Sequence, residues 1–228
     1  GSPRIWGIRE DSKGNLWIAT QSAGLSRLNF YDANQVIFLN DRANQLWDLA
    51  IDEYDQIWVA TSKGIELYRV NDDKLELQNT FLKGEIVDNI HLVGRNIWAW
   101  TEKEGLVSIE GENTEHSSPS QNYKLKFHSD SLKDKMSSPV YTDRDGKVWL
   151  SSEGLVTIFD PEADKVSNVI NLKADQKNLL ARVKSVYLWG NYYWLTTQAS
   201  GIFQVDKKTF NVVRNHSLNI DANILASI

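Results

Sequence analysis

Side chains able to do acid–base, nucleophilic or metal chemistry are scattered along these 228 residues rather than gathered. The four histidines, His91, His116, His128 and His216, share no spacing that suits a metal site. His116 and His128 stand in polar stretches and are expected to be solvated. There is no cysteine, which excludes thiolate ligands, cysteine nucleophiles and disulfides. No Gly-x-Ser-x-Gly elbow and no phosphate loop occurs. Asp143-Arg144-Asp145-Gly146 opens like a calcium loop but lacks the later ligands and the closing glutamate, so it reads as a hairpin turn. Carboxylates are plentiful, but the sequence by itself argues no pair of them into acid–base geometry. The reading is a chain with no catalytic residue, no metal and no cofactor. What remains is aromatic: of nine tryptophans, Trp6 and Trp47 occupy similar places, with Arg4 and Gln45 two residues before them. Two indoles so placed could stack on a sugar ring, or could simply line a channel.

The elements that must position these residues announce themselves by repetition. Gly14-Asn15-Leu16-Trp17-Ile18-Ala19-Thr20 is followed by Gly24-Leu25. The same phrase returns around Trp58, Trp98, Trp149 and Trp194, each time with Thr or Ser three residues after the Trp and then Gly-Leu or Gly-Ile. The intervals are 41, 40, 51 and 45 residues, from Trp positions 17, 58, 98, 149 and 194. Each phrase is a strand between turns, with another apolar run before it and one or two after it. Four strands in a unit of about 40 to 50 residues is the size of a β-propeller blade. The repeated Trp is expected to pack between blades, the Thr or Ser to satisfy a backbone group, and the Gly to permit a turn.

The fold expected is therefore all-β, a propeller of four-stranded antiparallel blades spanning residues 5–40, 45–82, 86–128, 138–170 and 182–215 of one propeller region, 1–228. Asp221-Ala222-Asn223-Ile224-Leu225-Ala226-Ser227-Ile228 resembles the opening strand of a sixth unit, so five full repeats plus one strand are expected to belong to a larger propeller. The third unit has the poorest match and carries a polar stretch from Glu110 to Gln121, read as a surface loop; 173–180 reads as a short helical turn or linker. A net charge of −5 and a pI near 5.4 argue against nucleic acid as a partner. No apolar stretch approaches the ~18 residues of a membrane span.

Asp11-Ser12-Lys13-Gly14-Asn15-Leu16-Trp17-Ile18-Ala19-Thr20 with Gly24-Leu25 and Leu28 closely resembles the two-component regulator propeller repeat. The copies at Trp58, Trp149 and Trp194 are weaker members, and the one at Trp98 is more divergent. The resemblance implies the periplasmic sensor region of a bacterial transmembrane receptor, of the two-component or hybrid histidine kinase kind. It further implies a ligand such as a carbohydrate, a homodimer in the full-length receptor, and attachment to the membrane only through other segments. The motif is structural and carries over no ligand residues. Propeller geometry supplies candidates instead, because loops between blades and between second and third strands share one face. These are Arg4, Trp6 and Gln21; Gln45, Trp47 and Lys63; Lys103 and Glu104; and Gln198. An interaction scaffold and a glycan-acting propeller enzyme are the alternatives.

Overall fold

The computed structural model describes residues 4–21, 24–29, 36–39, 45–71, 74–112, 122–128, 138–172 and 181–216. The expected strand over 221–228 and the segment 173–180 lie outside them. Every described element is a strand, and the strands form five four-stranded antiparallel sheets, each ordered as in the chain. Blade 1 contains β1 (Ile5–Glu10), β2 (Asn15–Thr20), β3 (Gly24–Asn29) and β4 (Val36–Leu39). Blade 2 contains β5 (Leu46–Ile51), β6 (Ile57–Thr61), β7 (Gly64–Asn71) and β8 (Lys74–Phe81). Blade 3 contains β9 (Ile90–Val93), β10 (Asn96–Thr101), β11 (Gly105–Gly111) and β12 (Tyr123–Phe127). Blade 4 contains β13 (Ser138–Thr142), β14 (Val148–Ser152), β15 (Leu155–Asp160) and β16 (Lys165–Asn171). Blade 5 contains β17 (Val183–Trp189), β18 (Tyr192–Thr197), β19 (Ile202–Asp206) and β20 (Val212–His216). This is the all-β propeller class. The chain divides into two compact units, Gly1–His128 with the first three blades and Ser129–Ile228 with the last two.

The repeated phrase works as a local hydrogen-bonding unit. In blade 1 the Asp11 carboxylate accepts the backbone N–H groups of Lys13 and Asn15 at 3.0 and 2.9 Å, closing the turn. Its second oxygen accepts the Trp17 indole N–H at 2.9 Å. Asp52 and Asp143 repeat the arrangement with Trp58 and Trp149, at 3.0 and 3.2 Å. The turn needs a left-handed residue, supplied by Gly14, by Gly146, and in blade 2 by Asp55 at φ 57°. Blades 3 and 5 lack the aspartate because their first hairpins are two-residue turns, Gly94-Arg95 and Gly190-Asn191, between the pairs Val93–Asn96 and Trp189–Tyr192. At the other end of the phrase Thr20, Thr61 and Thr197 donate their hydroxyls to the carbonyls of Gly24, Gly64 and Gly201, at 2.8–2.9 Å.

The cores lie between successive blades. Trp17 packs with Leu46, Leu49, Ile57 and Val59 of blade 2. Trp58 packs with Ile90, Ile97 and Ala99 of blade 3, and Trp149 with Val186, Tyr193 and Leu195 of blade 5. Two expectations need correction. β11 runs on through Glu110 and Gly111, into the stretch read as a loop, because these residues pair with Lys124 and Tyr123. His128 is buried, not solvated: its ring stacks on Trp98 at 4.4 Å and hydrogen-bonds the Ser108 hydroxyl at 2.9 Å.

Candidate functional site

The first strand of each of four blades carries an irregularity at the same place. β1 slips register between Ile5 and Gly7, β5 between Leu46 and Asp48, β13 between Pro139 and Tyr141, and β17 between Val183 and Ser185. The extra residues are Trp6, Trp47, Val140 and Lys184. A bulge of this kind re-aims one side chain and is common beside binding sites. In the first unit it brings two indoles together: the rings of Trp6 and Trp47 lie 5.5 Å apart, tilted by 50°. Their surroundings differ. Trp47 is half-buried against the core between blades 2 and 3, and its N–H is buried without an acceptor among the described residues. Trp6 is 41% exposed and offers its ring to solvent.

Beside this pair sits a polar knot that joins three blades. Asp48 is buried on β5; one carboxylate oxygen accepts the Leu49 N–H at 2.8 Å and lies 3.6 Å from Arg9 of β1. The other oxygen accepts Asn89 Nδ2 at 3.2 Å and the Ile90 N–H at 3.3 Å, both from blade 3. The approach depends on Gly7, since a Cβ there would stand 3.0 Å from the Asp48 carboxylate and 3.1 Å from the Leu49 side chain. Burial pushes the Asp48 carboxyl up to about 6, against the pull of Arg9 and its two backbone donors, with the nearby Asp88 adding to the rise. Burial, reinforced by Arg9, holds His91 of β9 down at about 4, so its imidazole is neutral at physiological pH. The carboxylate is thus already engaged by neighbouring donors. It is poorly placed to act on a substrate and well placed to hold the inner strands in position.

The other sequence candidates fall at corresponding blade ends. Gln21 donates its backbone N–H to the Arg4 carbonyl at 2.9 Å, and Gln198 makes the equivalent bond to Arg182 in the second unit. Gln45 receives the Ser62 N–H at 3.1 Å, which sets it beside Lys63. Lys103 reaches Glu104 at 3.4 Å and Glu85 at 3.6 Å; its hydrogen bond to the Glu104 carboxylate leads the effects that raise its pKa. So the structure joins Arg4 with Gln21, Trp6 with Trp47, and Lys103 with Glu104. Sequence reasoning missed Arg9, Asp48, Asn89 and His91. The available signal was Asp48 itself, a lone charge inside the apolar run Leu46-Trp47-Asp48-Leu49-Ala50.

A second recess opens between the hairpin of blade 2 and blade 3, lined by Glu53, Tyr54, Gln56, Arg95 and Tyr123. It has room for little more than a water, about 20 Å³. Its polar groups satisfy one another: Arg95 pairs with Glu53 at 2.6 Å and lies over the Tyr54 ring at 5.1 Å, and Tyr123 donates to Gln56 at 3.2 Å. It is a clasp between blades.

Comparison with known proteins agrees with this architecture. Residues 1–22 match the two component regulator propeller family. No curated protein matches the chain significantly. Two structures of the extracellular domain of BT4673 from B. thetaiotaomicron are similar, one assigned as a hybrid two component system and the other as a one component system. They superpose with TM-scores of 0.70 and 0.69 at 20% and 21% identity, over 95% of this chain and 30% of theirs. A catalytically inactive virginiamycin B lyase from Staphylococcus aureus, solved with quinupristin, gives 0.70 at 12% identity over 96% of this chain and 72% of its own. At these identities the structural likenesses establish the propeller fold. The chain spans about 30% of the length of the BT4673 structures.

Proposed function

We propose that this chain is part of the extracytoplasmic sensor region of a bacterial transmembrane signalling protein of two-component type. It binds a small ligand, a carbohydrate in the first instance, and the bound state biases the geometry of a homodimeric receptor whose output domain lies across the membrane. Support comes from the two component regulator propeller repeat at residues 1–22 and from the fold shared with the extracellular domains of BT4673. The observation that carries the binding role is the pairing at the bulges: an indole face open at Trp6, beside a carboxylate at Asp48 already held by its neighbours. That arrangement can hold a ring, and its buried carboxylate is already occupied by Leu49, Asn89, Ile90 and Arg9. A ligand acts on such a receptor only by preferring one of its arrangements.

The test is a thermal-shift screen of the purified chain against oligosaccharides, simple sugars and small metabolites, with chromatography of each mixture for breakdown products. A ligand that binds the folded state raises Tm by mass action. The sensor reading expects a rise with at least one glycan class and intact ligand afterwards. A rise accompanied by cleavage would replace it with a glycan-acting enzyme.

A further inference from the structure

Within the first unit, the two bulges that carry Trp6 and Trp47 sit on one buried carboxylate. Trp47 precedes Asp48 in β5, and Trp6 precedes Gly7 in β1, whose lack of a side chain makes room for that carboxylate. Each indole is therefore one residue from the contact between the strands. How closely β1 lies against β5 there sets the 5.5 Å between the two rings.

The contact is held by charge. Arg9 Nη2 lies 3.6 Å from Asp48 Oδ1, the oxygen that also accepts the Leu49 N–H at 2.8 Å. Oδ2 accepts Asn89 Nδ2 at 3.2 Å and the Ile90 N–H at 3.3 Å. Donors thus converge on the carboxylate from β1, from β5 and from the start of blade 3. One acceptor stands beside them unused: Asn89 Oδ1 is buried and has no partner among the described residues. A carboxyl that gains a proton on Oδ2 becomes a donor there while keeping a lone pair for Ile90. It then opposes Asn89 Nδ2, and the clash is relieved when the amide turns over and presents Oδ1 instead. The pair therefore has two hydrogen-bonded arrangements, one for each charge state.

The proton also removes the ion pair. A neutral Asp48 has no charge to hold Arg9, whose side chain is already 47% exposed. Burial raises the Asp48 carboxyl to about 6, against Arg9 and the Leu49 and Ile90 amides, and Asp88 on the approach to β9 adds to the rise. His91 of β9 is held at about 4 by burial and by Arg9, so it stays neutral while Asp48 titrates.

We infer that Asp48 and Asn89 form a proton-operated latch under the two indoles. With Asp48 charged, Arg9 holds β1 against β5 and the Trp6–Trp47 pair is closed. With Asp48 neutral, Asn89 turns its carbonyl toward the acid, Arg9 leaves, and the pair loosens. Its consequence for binding rests on the reading of the indole pair as a ligand site: such a site holds its ligand more tightly at neutral than at acidic pH, because the proton favours the looser arrangement.

The experiment follows the nine tryptophan indole N–H signals of the nitrogen-15-labelled full chain by NMR, from about pH 7.5 to about pH 4.5 and without any glycan. Trp6→Phe and Trp47→Phe assign the two signals that matter. Both should shift together with a midpoint near pH 6, and the Asp48 carboxyl carbon should titrate at the same midpoint. Asp48→Asn should abolish the shift. Arg9→Gln, at an exposed position, should move both signals toward their acidic places already at pH 7.5. His91→Gln should leave the transition where it is, which separates Asp48 from that imidazole. Circular dichroism matching the parent shows that each variant folds. Trp6 and Trp47 signals that stay still across the range would overturn the inference, as would a transition that survives in Asp48→Asn. Since no glycan is present, the latch can fail here while glycans still bind in the thermal-shift screen, and the reverse.

Discussion

Asp52 accepts the Trp58 indole N–H at 3.0 Å while holding the hairpin closed through Tyr54 and Gln56 at 3.0 and 2.9 Å. One carboxylate thus ties the turn to the side chain that fills the space between blades 2 and 3. Removing it leaves a buried indole N–H and two turn amides without their acceptor, at about 1–3 kcal/mol. Asp52→Ala should lower the unfolding free energy by about 2 kcal/mol in urea titrations, and Asp143→Ala by a similar amount. Asp52→Asn should lose less, because its carbonyl oxygen can still accept one of these donors. Equal stability of Asp52→Ala and the parent would show that the link is incidental.

Asp48 and His91 should pull stability in opposite directions across one pH window. The Asp48 carboxyl holds its proton more tightly when folded, about 6 against an ordinary 3.8. Its contribution is therefore complete below pH 3.8 and is lost as pH rises through about 6. His91 is displaced the other way, to about 4 from 6.5, so its contribution is complete above pH 6.5 and lost as pH falls through about 4. Each shift corresponds to about 3 kcal/mol, and the two nearly cancel. Taking the parent from pH 6.5 to 4 as the baseline, Asp48→Asn should lose more stability over that range and His91→Gln should gain relative to it. Identical pH slopes for all three proteins would contradict the opposed titration.

Gly64 and Gly94 both adopt positive φ, but their surroundings differ. A Cβ on Gly64, at φ 127°, would stand 2.3 Å from the Phe81 carbonyl oxygen and 2.9 Å from that of Leu82. On Gly94, at φ 58°, it would meet nothing within 4 Å. Gly94→Ala should therefore cost about 1 kcal/mol, the strain of a left-handed Ala. Gly64→Ala should cost well over twice that, since backbone must move, or should prevent folding. Chemical denaturation of the two variants side by side checks the ordering.

The fold class was legible because the repeat is dense: Trp, Thr or Ser, and Gly-Leu or Gly-Ile recur in order, and their period suits only a few architectures. The aspartates at 11, 52 and 143 were visible as turn formers, but their bond to an indole six residues later is a matter of side-chain geometry. His128 was misread for a related reason. Its sequence neighbours, Lys126 and Phe127, are exposed, while its partners Trp98 and Ser108 are 30 and 20 residues away in the chain. The pair Trp6 and Trp47 could be named from their matching places, yet the difference between them could not. That one faces solvent and the other packs on the core is a matter of three-dimensional packing, which matching places in the repeat do not encode.

This difference predicts separable effects. Trp47→Ala should destabilise the chain by about 2 kcal/mol, because a half-buried indole leaves a gap against the core of blades 2 and 3. Trp6→Ala should change the unfolding midpoint little, since much of its ring is already in water. Thermal melts of the two variants distinguish these outcomes, and equal losses would mean that Trp6 is also a packing residue.

The central claim, that this propeller receives a glycan at the open indole, is tested most directly by probing one glycan array with the parent chain and with Trp6→Ala. The account predicts that the parent binds a related set of glycans and that the folded Trp6→Ala variant loses at least tenfold in apparent affinity for them, the scale of one stacking contact. A parent that binds no glycan, or a variant that binds the same set equally well, would contradict it.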